Sequence, residues 1–384
     1  MKKNFKFVSI IMCIGLLAGC GGAGASGSSA SSGSSKDLAG LKYTDSVEFK
    51  YATMATIDNF EGGYRLISTA EKDKLLIVPQ GKEAPANLSK DICVLKEPAD
   101  KLYLAASSAM ALFNAVDAVD NISLSGISGE WYVEKAQENL KNGKMKFAGK
   151  YSAPDYELMI SSGCQLAIES TMIYHSPEIK EKLMELGIPV FVDLASRESN
   201  PLGRMEWVKV YGAMTDHLDK ADAFFSEKTA EVEKVAGQEK TGKTVAFVSI
   251  NSSGLAVVRK SKDYVPAMIE IAGGKYIFEG LGDDTDALST MNMSLEEFYH
   301  KAMDVDVIIY NSTIEGEMNS VKDLTSKAGI FADLKAVKEG NVWCTSKNMY
   351  QATDSIADII VDMHAIFSGD EEGIKNLKYI KKLN

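Results

Sequence analysis

The sequence predicts an α/β protein with two Rossmann-like lobes, each built on a central parallel-type sheet, joined by a long bridging α-helix. Short apolar segments alternate with helical segments over residues 101–200, and the same alternation restarts near residue 244. This alternation is typical of parallel sheets that are covered by helices on both faces. A folded body of roughly 340 residues also favours two lobes over one.

The first lobe is predicted over residues 41–200. Its predicted strands are 102–105, 122–126, 165–168 and 188–192, and its predicted helices are 108–116, 131–142, 154–162 and 177–186. Ser107 and Ser108 follow the first strand, and the Ser108 side chain is expected to cap the first helix. Before this region, residues 64–69 and 74–78 flank a polar turn and predict a β-hairpin.

Residues 201–236 are predicted to bridge the two lobes. Apolar side chains recur there with a helical period at Trp207, Tyr211, Met214, Leu218, Ala221 and Phe225. A continuous helix of thirty residues would extend roughly 45 Å, about the width of a domain. Two shorter helices that break near Gly212 are the alternative interpretation.

The second lobe is predicted over residues 237–384, where the alternation of strands and helices resumes. The predicted strands are 244–250, 305–310 and 342–344, and the predicted helices are 264–271, 295–303 and 352–367. Gly273 and Gly274 are expected to end the first of these helices.

The N-terminus predicts export and anchoring. Three lysines precede an apolar run that is too short to span a bilayer comfortably, and small residues then lead to Cys20. This pattern resembles a bacterial lipoprotein signal over residues 1–20. The resemblance implies cleavage before Cys20, lipidation of its thiol, and an extracytoplasmic protein anchored to the membrane. Residues 21–40 are rich in glycine and serine and predict a flexible tether. An ordinary secretory signal is the alternative.

Composition narrows the classes of partner and chemistry. The net charge of −11 argues against a nucleic-acid partner. Cys93, Cys164 and Cys344 have no C-x-x-C spacing and are predicted to be buried free thiols, although one disulfide pair stays open. The four histidines are dispersed, which disfavours a site for free zinc or manganese. No phosphate-binding loop or G-x-S-x-G motif occurs, and we expect no resident cofactor.

Several motifs then follow one another in a characteristic order. The strand 102–105 leads into Ser107 and Ser108, and the segment 155–159 reads Asp-Tyr-Glu-Leu-Met. Residues 186–190 read Leu-Gly-Ile-Pro-Val, and residues 269–274 read Ile-Glu-Ile-Ala-Gly-Gly. Over residues 95–367 the chain resembles the substrate-binding lipoproteins of ABC importers, in the group that serves iron–siderophore, haem and vitamin B12 uptake.

The resemblance implies how such a protein works. Two lobes close modestly over a small-molecule ligand, and a stiff helix acts as the hinge. A monomer delivers the ligand to a membrane permease and its ATPase. Glu157 and Glu270 match the family positions whose carboxylates dock onto permease arginines, which is consistent with charge-assisted pairing. Two ordinary glutamates on surface helices are the alternative.

The ligand is expected between the lobes, in loops at the carboxyl ends of the strands. The candidate ligand-binding residues are Ser107, Ser108, Trp131, Tyr174, His175, Arg197, Arg204, Arg259 and Tyr350. The serines precede a helix whose N–H groups can meet an anion, the aromatic rings suit a flat macrocycle or catecholate, and the arginines suit ligand carboxylates. These cations favour an iron chelate over haem or cobalamin, whereas His175 would suit haem iron or corrin cobalt.

Three alternatives stay open for these residues. Each loop aromatic can pack on its own lobe, and Arg204 can pair with a nearby acid such as Glu206. An exported hydrolase that uses a cleft serine is the rival functional class, because Ser107 and Ser108 lie between a strand and a helix.

Overall fold

A computed structural model describes residues 36–129, 131–281 and 289–384. The predicted signal peptide, Cys20 and nearly all of the predicted tether lie outside the described residues. Leu38 and Leu41 form an isolated β-bridge and pack against a small apolar cluster, so the last residues of the predicted tether belong to the folded body. None of the helices in the described ranges is long and apolar enough to cross a bilayer.

A five-stranded sheet precedes the first lobe, and the sequence predicted only its hairpin. Its strands, in spatial order, are β1 (Tyr43–Ser46), β2 (Ala55–Phe60), β3 (Tyr64–Thr69), β4 (Lys74–Val78) and β5 (Ile92–Lys96). The hairpin of β3 and β4 is confirmed, with Arg65 opposite Ile77. Its buried residues alternate between two clusters, because Ile67 and Leu75 face the main core while Leu66 and Leu76 face the small one.

The first lobe contains the predicted parallel sheet. Its strands are β6 (Leu102–Leu104), β7 (Ile122–Ser125), β8 (Lys146–Phe147), β11 (Leu166–Ser170) and β12 (Val190–Asp193), and a small antiparallel pair is formed by β9 (Gly149–Lys150) and β10 (Ala153–Pro154). The spatial order is β12-β11-β6-β7-β8, and every pairing in it is parallel. The helices are α1 (Ala109–Ala115), α2 (Glu134–Asn142), α3 (Tyr156–Ser161) and α4 (Pro177–Glu185).

The connection between the lobes consists of three helices, so the prediction of one continuous rod over 201–236 is wrong. They are α5 (Pro201–Glu206), α6 (Val208–Met214) and α7 (Leu218–Ala236). The chain turns between α6 and α7, where Asp216 adopts a left-handed conformation with φ of 58°. A Cβ at Gly212 would lie 2.8 Å from the Ala221 Cβ, so the missing side chain allows α6 and α7 to pack closely.

The second lobe is built on a seven-stranded sheet. Its strands are β13 (Thr244–Ile250), β14 (Ala256–Arg259), β15 (Lys275–Tyr276), β16 (Thr290–Met293), β17 (Val307–Tyr310), β18 (Val342–Thr345) and β19 (Ile380–Lys382). β13, β15, β17 and β18 pair in parallel, whereas β14, β16 and β19 add antiparallel edges that the sequence did not predict. The helices are α8 (Tyr264–Ile271), α9 (Leu295–Ala302), α10 (Val321–Lys327), α11 (Lys335–Lys338), α12 (Ile356–Ser368) and α13 (Glu371–Lys375).

The two lobes share one apolar core through the connecting helices, and pockets lie between them at the carboxyl ends of their strands. Buried residues of both lobes and of the N-terminal sheet form one apolar cluster, which passes through Trp207, Tyr211 and Phe225 of the connecting helices. At the carboxyl ends of the strands, two pockets are lined by residues from both lobes. A gap between the lobes therefore exists where a ligand is expected.

Candidate functional site

A pocket of about 570 Å³ lies between the lobes. The loop after β7 in the first lobe supplies most of its wall, and Lys347 reaches it from the loop after β18 in the second lobe. Its lining residues are Ser128, Gly129, Trp131, Tyr132, Gln137, Leu140, Lys141 and Lys347. Both loops follow parallel strands at their carboxyl ends, so the fold itself brings them together.

The two lobes contact each other beside this pocket. The rings of Tyr132 and Tyr350 meet edge to face, with centroids 6.1 Å apart. The backbone N–H of Tyr132 donates to Oε1 of Gln351 at 3.2 Å, and the Gln351 amide donates to the Tyr350 hydroxyl at 3.0 Å. A second pocket of about 400 Å³ also borders Tyr132 and Gln351. Tyr350, a predicted ligand residue, therefore stands exposed at an interlobe contact.

Trp131 forms part of the pocket wall, and its indole is fully buried. Its Nε1–H donates to the Ser125 Oγ at 3.0 Å, and its carbonyl oxygen accepts from the Gln137 amide. Burial with a satisfied indole N–H makes this residue a rigid support for the loop.

The positive charge in the pocket comes from lysines that the sequence analysis did not select. Lys141 and Lys347 are both exposed and line the pocket, one from each lobe. No carboxylate is found among the described residues that line this pocket. Lys347 belongs to the predicted cleft loop, but nothing in the local sequence separates it from other surface lysines.

Ser107 and Ser108 are half-buried at the start of α1. Ser108 occupies the N-cap position, but the prediction that its side chain caps the helix is wrong. Its backbone angles of −68° and −21° are helical rather than extended, and its side chain makes no capping hydrogen bond.

Arg197 and Tyr174 contact each other and the N-terminal sheet. The Arg197 guanidinium pairs with Glu71, in the turn between β3 and β4, and lies 5.4 Å from the centroid of the Tyr174 ring. Asp73 of the same turn accepts from Lys180 at 3.0 Å. His175, beside Tyr174, is exposed. The N-terminal sheet thus occupies part of the surface that the sequence analysis assigned to ligand.

Arg204 joins the two lobes. Its guanidinium lies 3.7 Å above the ring of Tyr264 from the second lobe, and its Nε–H donates to the Glu198 carbonyl oxygen at 3.0 Å. A further bond joins it to the Ser196 carbonyl oxygen. Burial lowers the pKa of this guanidinium. No ion pair joins Arg204 to Glu206, so that alternative is wrong.

Arg259 has its partners within the second lobe. Its Nη1 lies 3.8 Å from Oδ2 of Asp263 and 3.3 Å from the Ser289 Oγ, and its backbone N–H donates to the Tyr276 hydroxyl. The three arginines selected from the sequence therefore all have protein partners in this structure.

Two buried glutamates at the start of the connecting helices hold the N-terminal segment, a feature that the sequence analysis missed. Glu206 accepts the backbone N–H groups of residues 50–52 at 2.7–2.8 Å. Glu198 accepts those of Thr53 and Met54 at 2.8–3.1 Å, together with the Trp207 indole N–H. The segment 50–54 is thereby fastened to α5 and to the loop before it by charge-assisted hydrogen bonds.

Glu169 is an unusual buried carboxyl group at the end of β11. The side chain is fully buried, and neither carboxylate oxygen has a hydrogen-bond partner. Burial raises the pKa of Glu169 to about 8. The phenol rings of Tyr103 and Tyr156 lie within electrostatic range, and no described cation compensates its charge. The group is therefore mostly neutral at pH 7.

The two predicted docking glutamates differ in their surroundings. Glu157 is exposed on α3, and no described residue forms an ion pair with it. Glu270 is exposed on α8, beside a pocket of about 700 Å³, and its Oε1 lies 3.4 Å from the Lys240 Nζ.

The described part of the chain offers few residues for metal binding or for disulfide bonds. Its His, Cys, Asp and Glu side chains form no group of three or more that can hold a metal ion. Cys93, Cys164 and Cys344 are free thiols, and burial raises the pKa of Cys164 to about 11. The prediction of a buried free thiol is confirmed for Cys344, whereas Cys93 and Cys164 are free but only partly buried.

Two parallel-sheet lobes with a pocket at the facing strand ends define a two-lobed α/β protein. Residues 108–348 match the periplasmic binding protein family, and the chain belongs to that family. The N-terminal sheet precedes the matched residues.

Related proteins agree with this assignment. An uncharacterized lipoprotein of Methanocaldococcus jannaschii is 26% identical over 319 residues, which cover 79% of this chain and 74% of the relative. A periplasmic haem-binding protein of Vibrio cholerae superposes with a TM-score of 0.55 at 14% identity, covering 68% of this chain and 97% of that one. An Fe3+-hydroxamate transport protein of Saccharomonospora viridis superposes with a TM-score of 0.54 at 17% identity, covering 70% and 93%. At these identities the structural likeness shows the fold.

Proposed function

We propose that this protein is the substrate-binding lipoprotein of an ABC importer, and that it captures an anionic iron chelate between its lobes and delivers it to a membrane permease. The observation that carries the proposal is the interlobe pocket, which is lined by a lysine from each lobe. A ligand bound there contacts both lobes, so its binding favours a closed arrangement.

The chemistry of the pocket supports the choice of ligand. Lys141 and Lys347 can neutralise ligand oxygens, and the ring of Tyr132 offers an apolar surface beside them. Tyr350 adds a second exposed ring at the same contact. A catecholate or carboxylate chelate of ferric iron combines flat apolar surface with negative charge, as this pocket requires.

Haem or a corrinoid is the alternative ligand by the same mechanism. His175 is exposed after β11, and its imidazole is a ligand type that haem iron accepts. In that case the lysines would pair with the propionates of haem, and His175→Ala would lower affinity for haem but leave affinity for a ferric chelate unchanged.

A titration of the purified full chain with ferric siderophores, haem and cobalamin tests the ligand class. Trp131 lines the pocket, so intrinsic fluorescence reports directly on its occupation. We expect saturable quenching by a ferric chelate. Absence of a response to every member of this panel, together with saturable binding of a sugar or a peptide, would refute the proposed ligand class.

The pocket lysines can be tested by substitution. Lys141→Ala and Lys347→Ala each remove one cation, and we expect each to weaken binding of the ferric chelate at least about tenfold, since a charge-assisted contact contributes about 1.5–3 kcal/mol. Lys375→Ala, on α13 outside the pocket, is the matched control and should bind as the wild type does. Equal affinity in all three variants would place the ligand elsewhere.

Delivery to the permease is proposed to use Glu157 and Glu270, each exposed on a different lobe. Reversing the charge at both positions should abolish uptake in cells and leave ligand affinity intact. A fall in ligand affinity would instead assign these residues to the pocket or to the fold.

Membrane anchoring is proposed to occur through lipid on Cys20, which lies outside the described residues. A Cys20→Ser variant should move from the membrane fraction to the soluble or secreted fraction. Retention in the membrane fraction would argue for a different anchor.

A further inference from the structure

The turn between β3 and β4 reaches the first lobe with two carboxylates that the proposed ligand site does not use. Glu71 pairs with Arg197, which follows β12, and Asp73 accepts from Lys180 of α4 at 3.0 Å. The Tyr174 ring lies 5.4 Å from the Arg197 guanidinium and within electrostatic range of both carboxylates. The contacts join two side chains of the N-terminal sheet to three of the first lobe. We call these five side chains the turn cluster.

The turn cluster lies at the edge of the first-lobe sheet where a ligand is expected. Tyr174 follows β11 and Arg197 follows β12, whereas the loop after β7 forms most of the wall of the interlobe pocket. The strand order is β12-β11-β6-β7-β8, and neighbouring strands lie about 4.8 Å apart. The ends of β11 and β12 are therefore roughly 10 and 14 Å from the end of β7. A ligand that extends from the pocket along this edge approaches the turn cluster.

The turn belongs to a packed part of the molecule rather than to a free loop. The Thr69 backbone N–H donates to the Asp73 carbonyl oxygen at 2.9 Å and closes the turn. Ile67 and Leu75, on the two strands beside it, are fully buried in the main apolar cluster. The buried carboxylates that hold the segment 50–54 fasten the same sheet to the connecting helices and the loop before them. The position of the turn against the first lobe is therefore fixed by packing on several sides.

The charge of Arg197 is shared with a carboxylate of this chain. The side chains of Arg197 and Glu71 remain 41% and 44% exposed, whereas those of Lys180 and Asp73 are only 24% and 21% exposed. An arginine beside a ligand site ordinarily pairs with an anionic group of the ligand. Here Glu71 takes that place, so an approaching anion gains less from the guanidinium and meets a carboxylate next to it.

The N-terminal sheet supplies this carboxylate from outside the part of the chain that defines the family. The strands β1–β5 end at Lys96, and the match to the family begins at residue 108. Arg197 lies within the matched residues, and its partner Glu71 does not. The sheet therefore adds a charge to the cleft region that the matched fold alone does not contain.

We infer that Glu71 is a specificity-determining residue, which occupies Arg197 and so restricts the site to chelates whose negative charge the pocket lysines can balance. This inference rests on the proposed function and adds to it the charge class of the ligand. Glu71 acts through Arg197 rather than by contact with the ligand. A strongly anionic chelate is disfavoured because no free guanidinium meets its surplus charge.

Glu71→Gln in the full chain tests the inference with two probes, a neutral ferric trihydroxamate and a strongly anionic ferric tricatecholate, by titration calorimetry. We expect the variant to bind the tricatecholate about fivefold more tightly than the wild type, the scale of one exposed ion pair, and to bind the trihydroxamate with unchanged affinity. Glu83→Gln is the matched control. Glu83 pairs with Lys96, which lies opposite Val78 at the far end of β4 from the turn, so this variant should bind both probes as the wild type does.

The double variant Glu71→Gln/Arg197→Gln tests whether Glu71 acts through Arg197. We expect it to lose the gain in affinity for the tricatecholate, because the released guanidinium is the source of that gain. A gain that persists in the double variant would overturn the inference. The thermal transitions of all variants are measured alongside, and they should match that of the wild type closely because the exchanged side chains are partly exposed.

A measurement without a ligand tests the contact itself. Phenylglyoxal modifies accessible arginines, and mass spectrometry of the modified peptides gives the rate at Arg197. This rate should be faster in Glu71→Gln than in the wild type and in Glu83→Gln, because the ion pair is lost. Equal rates in all three proteins would overturn the inference.

The titrations also separate this inference from the proposed function. Binding of both chelates by the wild type, with no change in Glu71→Gln, would overturn the role of Glu71 and leave the transport proposal intact. No binding of either chelate by any of the variants would count against both.

Discussion

Glu169→Gln should change how the stability of this protein depends on pH. The carboxyl group is fully buried without a hydrogen-bond partner, and burial raises its pKa from an ordinary value of 4.5 to about 8. Between these two pH values the folded chain holds a proton that the unfolded chain releases. The free energy of unfolding contributed by this group therefore falls as the pH rises from about 4.5 to 8.

The magnitude follows from the two pKa values of Glu169. Between pH 5 and pH 8 the folded state loses roughly 3–4 kcal/mol relative to the unfolded state, because each pKa unit corresponds to about 1.4 kcal/mol. A glutamine at this position cannot ionise, so the variant lacks this loss. The neighbouring phenols of Tyr103 and Tyr156 stay protonated over this range, because burial raises both of their pKa values further.

Urea unfolding at pH 5, 6, 7 and 8 measures the effect. The difference in the free energy of unfolding between the variant and the wild type should shift in favour of the variant by roughly 3–4 kcal/mol across this range. Glu157→Gln, which removes an exposed carboxylate, is the control and should follow the wild type. Parallel pH profiles for the wild type and Glu169→Gln would refute the account of a buried neutral carboxyl group.

Three further substitutions test how residues around α5 hold the N-terminal segment and the second lobe. Glu206→Gln removes the charge that holds the backbone of residues 50–52, and urea unfolding should show that the free energy of unfolding falls by about 3 kcal/mol. An unchanged free energy of unfolding would contradict a stabilising role of these hydrogen bonds. Gly203→Ala places a Cβ 2.9 Å from the Tyr51 carbonyl oxygen, so this variant should have a lower melting temperature than the wild type. Gly329→Ala is the control, because its Cβ meets open space and its melting temperature should not change. Equal melting temperatures for the two variants would contradict this packing. Arg204→Lys keeps the positive charge but loses the planar stack on the ring of the second lobe. Distance measurements between spin labels on the two lobes should therefore show a broader distribution of lobe separations. An unchanged distribution would contradict a role of Arg204 in setting the lobe geometry.

The elements that the sequence predicted best are those whose burial leaves a local pattern. Strand β13 and helix α8 match the predicted residues at both ends, because a strand that is covered on both faces is a continuous apolar run and paired glycines end the helix. The broken connection was harder to predict. The turn at Asp216 uses a left-handed aspartate rather than a glycine or a proline, so no strong turn residue marks it.

The sequence predicted where the candidate site lies better than it predicted which residues form it. Loops at the ends of the parallel strands do form the interlobe pocket, but Arg204 and Arg259 are engaged with the protein. Glu198 and Glu206 bind backbone groups about 150 residues away, and such partners leave no spacing in the sequence. Unlike helix periodicity, a long-range hydrogen bond to the backbone carries no local signature.

Hydrogen exchange of the full chain, with and without a ferric chelate, tests the central claim most directly. A ligand held between the lobes should slow amide exchange in two segments together, residues 126–133 of the first lobe and 346–352 of the second. Protection confined to one lobe, or to residues outside both segments, would contradict capture between the lobes.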